Sequence, residues 1–275
     1  ENIDFAINAR IGNLTYDNMN INDFNGKIRV KDGVATLKDM SMRMLGGRLA
    51  MDGYYDSRTI QEPEIHFGLD ISDFSIPETY STFNTVKKLA PIAEYMKGKL
   101  NTSLEIAGKL DQFLNPLLGT FNGEGTLKSN SIQVENATMF NAIAEKTRAK
   151  RFKNPTLQDV YASFEVVDGT VFLQSKTMKL AGQEFTIAGS QKLDKTMDYK
   201  VSTNIPRSAM GGAANDLVNN LASSAGLDIS ATENIKLNIE ITGKTDDPKL
   251  GLSVAQSGES LEEQASDKVE EELEK

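Results

Sequence analysis

Ile65, Phe67, Leu69 and Ile71 alternate with His66, Gly68 and Asp70, and that period of two constrains the fold more than any other feature. It is the signature of a β-strand with one apolar and one polar face. Ile28 and Val30 repeat it against Lys27, Arg29 and Lys31. Asp32-Gly33 then supplies the positive-φ pair favoured in tight hairpins, and Ala35 and Leu37 open the next strand. The alternation is expected to run on through Met40, Met42 and Met44, turn at Gly46-Gly47, and resume at Leu49 and Met51.

The same pattern is written twice. A shift of 136 positions lays Gly33 on Gly169, Asp23 on Asp159, Asp32 on Asp168, Val30 on Val166, Leu37 on Leu173 and Met42 on Met178. It also lays Gly46 on Gly182 and Gly53 on Gly189. After a gap the match resumes: Ile76-Pro77 answers Ile205-Pro206, and Leu104 to Lys109 answers Ile239 to Lys244. The expected fold is therefore mainly β with a few short helices. Two tandem β-rich repeat units would form an extended, twisted, largely antiparallel sheet or half-open groove. The expected organisation is an N-terminal strand (1–19) continuing from an upstream region, a first unit at 20–116 with a helical excursion at 78–97, and connecting strands, helix and basic loop at 117–156. A second unit follows at 157–254 with an excursion at 207–223, then an acidic, helical or disordered tail at 255–275.

The excursions rest on helical spacing. Phe83, Val86, Leu89, Ala90, Ala93 and Met96 share one helical face, with Pro91 expected to kink or split it. Leu217, Val218 and Leu221 form the second stripe, and Met139, Phe140, Ile143 and Ala144 mark a third helix over 137–148. Leu261, Ala265, Val269 and Leu273 give the tail a helical stripe.

Composition narrows the function. The chain has no Cys, which removes disulfides, thiolate catalysis and cysteine-type zinc sites. Its net charge of −9 argues against nucleic acid as a partner. Much of that charge sits in the tail beyond Glu259, so the body is nearly balanced. No apolar run of membrane-spanning length and no signal peptide occur, and the charged ends read as those of a piece of a longer protein.

Catalytic sets are missing from the pattern. The single histidine, His66, lies in the polar register of a strand, and no nucleophile elbow or phosphate loop is present. Gly123-Glu124-Gly125 reads as a tight turn or bulge. The Asp- and Asn-rich stretch from Asp17 to Asn25 fails as a calcium loop, with Asn22 in place of the central Gly and Ile28 in place of the bidentate Glu. No metal, no cofactor and no catalytic residues are expected. One basic cluster, Lys146, Arg148, Lys150, Arg151 and Lys153 around Phe152, is either a solvated loop or a contact for anionic lipid head groups.

The apolar strand faces need a cover. Either they pack as a core, or they line a trough that binds apolar ligands. The trough lining would be Ile65, Phe67, Leu69, Leu104 and Ile106 in the first unit, with Phe164, Val166, Leu173, Ile187, Val201, Ile239 and Ile241 in the second.

The stretch from Leu118 to about Ile205 resembles the C-terminal region of the AsmA family. The likeness is carried by Gly119-Thr120-Phe121-Asn122-Gly123-Glu124-Gly125-Thr126-Leu127 and the helix near 137–148. It continues in the run Leu157 to Val171 with its Asp168-Gly169 turn, Met178-Lys179-Leu180, and Phe185-Thr186-Ile187-Ala188-Gly189-Ser190. The resemblance implies a periplasmic protein of a Gram-negative bacterium, anchored in the inner membrane by an upstream helix and acting in outer-membrane biogenesis. It also implies an AsmA-like or TamB-like module that transfers phospholipid along a β-groove and is not an enzyme. The helices interrupting the strands depart from that picture, since they would cap or fill the trough. The rival expectation is a β-repeat scaffold or adhesion module that binds another envelope protein.

Overall fold

The computed structural model describes residues 4–17, 19–180 and 182–255. The tail expected at 255–275 lies outside the described residues apart from Ala255. The protein is mainly β with short helices. Its strands are β1 (Phe5–Tyr16), β2 (Met19–Lys31), β3 (Val34–Met44), β4 (Gly47–Asp56), β5 (Glu64–Ser75), β6 (Met96–Lys109) and β7 (Asn122–Val134). They continue as β8 (Thr156–Val167), β9 (Thr170–Leu180), β10 (Gln183–Gln191), β11 (Thr196–Pro206), β12 (Asn234–Lys244) and β13 (Asp247–Ala255). Strand order in the sheet follows sequence order. The ladders from β1 to β6 and from β10 to β13 are antiparallel. Contacts divide the chain into two compact units, Glu1–Ser129 with Ser163–Val171, and Asn130–Ala162 with Phe172–Lys275.

The positions that the 136-residue shift superposes adopt matching backbones. Asp23 and Asp159 have φ of 53° and 51°, Asp32 and Asp168 have 49° and 47°, and Gly46 and Gly182 have 74° and 78°. Aspartate tolerates this left-handed region because its short polar side chain can hydrogen-bond locally.

Within the first unit those aspartates have a second role. The β2–β3 register shifts near Asp23, the β3–β4 register between Leu37 and Met40, and the β5–β6 register between Ile71 and Phe74. Each shift holds an Asp at positive φ: Asp23, Asp39 (53°) and Asp73 (58°). A bulge inserts one residue and moves the alternation onto the other parity. The apolar pattern therefore skips from Leu37 to Met40 and from Ile71 to Phe74 without changing face. Neighbouring strands hold the bulges: the Asp39 N–H donates to Asp52 Oδ1 at 2.7 Å, and the Asp73 N–H donates to Asn101 Oδ1 at 3.0 Å. The unbroken alternation expected through Met40 is corrected accordingly.

The helical excursions sit slightly off their expected bounds. The first comprises α1 (Ile76–Thr82), α2 (Asn84–Leu89) and a 3-10 turn at Pro91–Tyr95. Ser75 caps α1 by accepting from the Glu78 N–H at 3.4 Å, and Pro77 is tolerated in the first turn, where its missing donor is not needed. Pro91 ends the helical run and opens the 3-10 turn. The third helix is α3 (Thr138–Lys146), followed by a 3-10 turn at Lys150–Phe152. The last is a 3-10 turn at Arg207–Ala209 leading into α4 (Gly212–Ser224).

Gly123 and Gly125 are not a turn but lie inside β7. A Cβ at Gly123 would overlap the Glu105 carbonyl, and one at Gly125 would meet the Ser103 carbonyl and the Phe164 ring. These glycines permit close approach of backbone and ring rather than reversal.

Candidate functional site: an apolar sheet face

In the first unit the antiparallel register assembles apolar residues into rows across the strands. One row runs Ile7, Ile28, Leu37, Gly53, Phe67, Ile106. Its neighbour runs Phe5, Val30, Ala35, Tyr55, Ile65, Gly108, and on the other side Met40, Met51, Leu69 and Leu104 stand in line. Directly opposed residues on an antiparallel pair project from the same face. The five lining residues expected here, Ile65, Phe67, Leu69, Leu104 and Ile106, are therefore brought together on one face.

That face is only half covered. All five are half-buried, as are Ile28, Val30, Leu37, Met51 and Tyr55. At the β1 end Phe5 and Ile7 are 42% and 47% exposed. A buried cluster occupies one end of the unit, where Ile21, Met42, Met44 and Phe74 pack with Phe83 and Leu100 beside α1. The opposite face is polar. It carries Lys27, paired to Asp39 at 2.7 Å, and Lys109, paired to Glu62 at 3.0 Å. His66 also lies there, stacked on Tyr54 with ring centroids 5.7 Å apart.

In the second unit the corresponding face is covered. Rows run Ile187, Val201, Ile239, Leu252 and Gly189, Tyr199, Ile241, Leu250. Ile239 and Ile241 are 4% and 1% exposed, in a cluster with Leu237, Met197, Ile205 and Ile143 of α3. Burial there pushes the half-buried Tyr199 phenol well above its ordinary value. The space left is a cavity of about 70 Å³. Met139, Phe140 and Ile143 of α3, with Arg151 and Phe152, form one wall, and Phe185, Ile187, Val201 and Ile239 the other. Pockets that hold even drug-sized ligands run to roughly 300–1,000 Å³.

The expected second-unit lining therefore splits. Ile239, Ile241 and Val166 are buried, Val166 at 4%, and belong to packed interior rather than to an open trough. Ile187 and Val201 line the small cavity. Phe164 and Leu173 are half-buried, with the Phe164 ring against Gly125. For Ile187, Val201, Ile239 and Ile241 the physical reason is α3, whose apolar stripe fills the space that the strands alone would leave. Alternation missed the first-unit residues Phe5, Ile7 and Tyr55, which join the face through the β1–β2 and β3–β4 pairings.

The basic cluster also divides. Lys146, Arg148, Lys150 and Lys153 are exposed. Arg151 turns inward, donating from Nη1 to the Ala209 carbonyl at 3.3 Å and lying 5.3 Å from the Phe152 ring centroid.

Among the described residues no group of three His, Cys, Asp or Glu is placed to hold a metal ion, and no helix is long and apolar enough to cross a membrane. The fold and face define a mainly-β repeat protein with an amphipathic sheet. No family model, no curated protein and no solved structure matches the chain.

Proposed function

We propose that this chain is a non-enzymatic, AsmA-like envelope module that handles phospholipid, holding acyl chains against the apolar sheet face of its first unit. The observation that carries the reading is the set of apolar rows from β1 to β6, exposed in β1 and half-buried beyond it apart from the buried Met40, backed by a charged face. A contiguous apolar surface of that kind marks a site for an apolar ligand or partner. The exposed cations of the α3 segment suit anionic head groups. In this reading the protein works in the periplasm of a Gram-negative bacterium, in outer-membrane biogenesis, with the inner-membrane anchor supplied outside this chain.

The test is detergent-free purification followed by native mass spectrometry and organic extraction. Stoichiometric phospholipid that is lost in folded Phe67→Asp and Ile106→Asp variants supports the proposal. A folded, lipid-free wild-type protein refutes it and favours the scaffold reading, in which the same face binds another envelope protein.

A further inference from the structure

The second unit poses a difficulty for lipid handling, because its apolar face is closed. The cover has an unusual attachment. Residues 135–155 leave the end of β7 and return to the start of β8, and the two ends are pinned together. The Val134 N–H donates to the Pro155 carbonyl at 2.9 Å, and the Asn136 N–H donates to Asn154 Oδ1 at 3.0 Å. The segment between is thus joined to the strands at a base closed by two hydrogen bonds.

The segment combines apolar contacts with exposed charge. Met139, Phe140, Ile143 and Phe152 face the sheet across the small cavity. Exposed cations follow along the chain: Lys146 at the end of α3, on the same helical stripe as Met139 and Ile143, then Arg148, Lys150 and Lys153. A segment that sets apolar side chains next to exposed cations suits the interface of an anionic bilayer.

The closed seat carries two polar defects. The N-terminus of α3 has no side-chain cap at Ala137 and no acidic residue in its first turn. Asn141 Oδ1 is buried without a hydrogen-bond partner, a cost that leaving the seat would relieve. From the 3-10 turn Arg151 donates to the Ala209 carbonyl.

We infer that residues 135–155 are a membrane-responsive lid. Its exposed cations dock on an anionic lipid surface, and Met139, Phe140, Ile143 and Phe152 exchange the sheet for the bilayer, which opens the apolar face of the second unit. The inference rests on the lipid-handling reading and assigns it a trigger: an anionic membrane opens the site, and a neutral one leaves it shut. A soluble acidic protein would satisfy the cations equally but has no acyl phase to receive the four apolar side chains. The test must therefore report their depth in the membrane.

The chain has no Trp, so Phe152→Trp places a single reporter on the lid, with Phe140→Trp as a second should the first misfold. Each is mixed with phosphatidylcholine vesicles with or without phosphatidylglycerol, carrying brominated acyl chains. The lid predicts quenching of the reporter only by the anionic vesicles. Replacing Lys146, Lys150 and Lys153 together by Gln should weaken partitioning on the order of 100-fold, taking about 1 kcal/mol for each basic residue near a charged surface. Vesicle-bound protein whose reporter stays unquenched overturns the lid, as does absence of vesicle binding. Lipid retained by the purified protein while the reporter stays unquenched refutes the lid alone. Quenching in a protein that never retains lipid refutes the lipid-handling reading alone.

Discussion

Ile106 and Ile241 occupy equivalent places in the two repeats, the third residue of Leu104-Glu105-Ile106 and of Ile239-Glu240-Ile241. The same substitution at both tests whether one face is open and the other closed. Ile241 is 1% exposed, sandwiched in register between Tyr199 and Leu250 beneath the α3 cover. Its truncation to Ala removes three carbons from a closed interior and leaves a cavity, at a cost of about 3–4 kcal/mol. Ile106 is half-buried beside Phe67, with solvent completing its surroundings. Truncation there forfeits only part of the transfer term, near 0.8 kcal/mol per buried methylene, and the exposed side leaves no cavity. About 1 kcal/mol is expected. Urea unfolding followed by circular dichroism measures each loss, and hydrogen exchange at β6 and β12 amides assigns it to its own unit. Losses equal within about 0.5 kcal/mol would refute the reasoning, because Ile106 would then be as enclosed in solution as Ile241.

Further outcomes follow from particular contacts. A Cβ at Gly47 would overlap the backbone of Ser72 and Asp73, so Gly47→Ala should cost about 2 kcal/mol in urea unfolding, since backbone held by a bulge cannot yield as a side-chain tip does. Asn141→Leu should stabilise the second unit by about 1 kcal/mol by removing an unpartnered buried oxygen, and hydrogen exchange of residues 138–147 should slow. A hydrogen bond from Lys27 holds the Asp39 carboxyl below its ordinary 3.8, and one from Asn115 does the same at Asp111. Backbone N–H groups lower Asp194 and Asp228. Depressed folded values stabilise the native state above the ordinary carboxyl value, and that contribution is lost as pH falls through them. The melting temperature should therefore be insensitive to these groups near neutrality and fall below about pH 4, with a shallower acid slope in Asp39→Asn.

Strand identity was legible because the register of one apolar face writes itself as a period of two, and the turn residues Asp32-Gly33 and Asp168-Gly169 fix where it reverses. The repeat was legible for the same reason, since residues that must take positive φ are drawn from a short menu. The bulges were harder to read. Asp39 interrupts Leu37 and Met40 with no sign that separates it from an ordinary polar residue, because its role depends on Asp52 of the next strand. The glycines of β7 misled in the opposite direction. They signal close approach of Glu105, Ser103 and Phe164, which are distant in sequence, so a local reading takes them for a tight turn or bulge.

Open and covered faces were not separable by alternation, and the reason lies in one connection. In the first unit β1 turns directly into β2, with Tyr16 opposite Met19. At the equivalent junction ahead of β8 the chain inserts residues 135–155, and with them α3 and its 3-10 turn. Ile106 and Ile241 have near-identical local sequence and pairing, yet only Ile241 lies under the apolar stripe of that insertion. Whether a strand in this repeat lines a surface or a core is therefore decided outside the strand, by the length and amphipathicity of the hairpin loop that precedes the unit. Lengthening the β1–β2 turn with a copy of residues 135–155 should then enclose the first face as well. If Ile106→Ala in that chimera still costs only about 1 kcal/mol, the loop is not what closes the second.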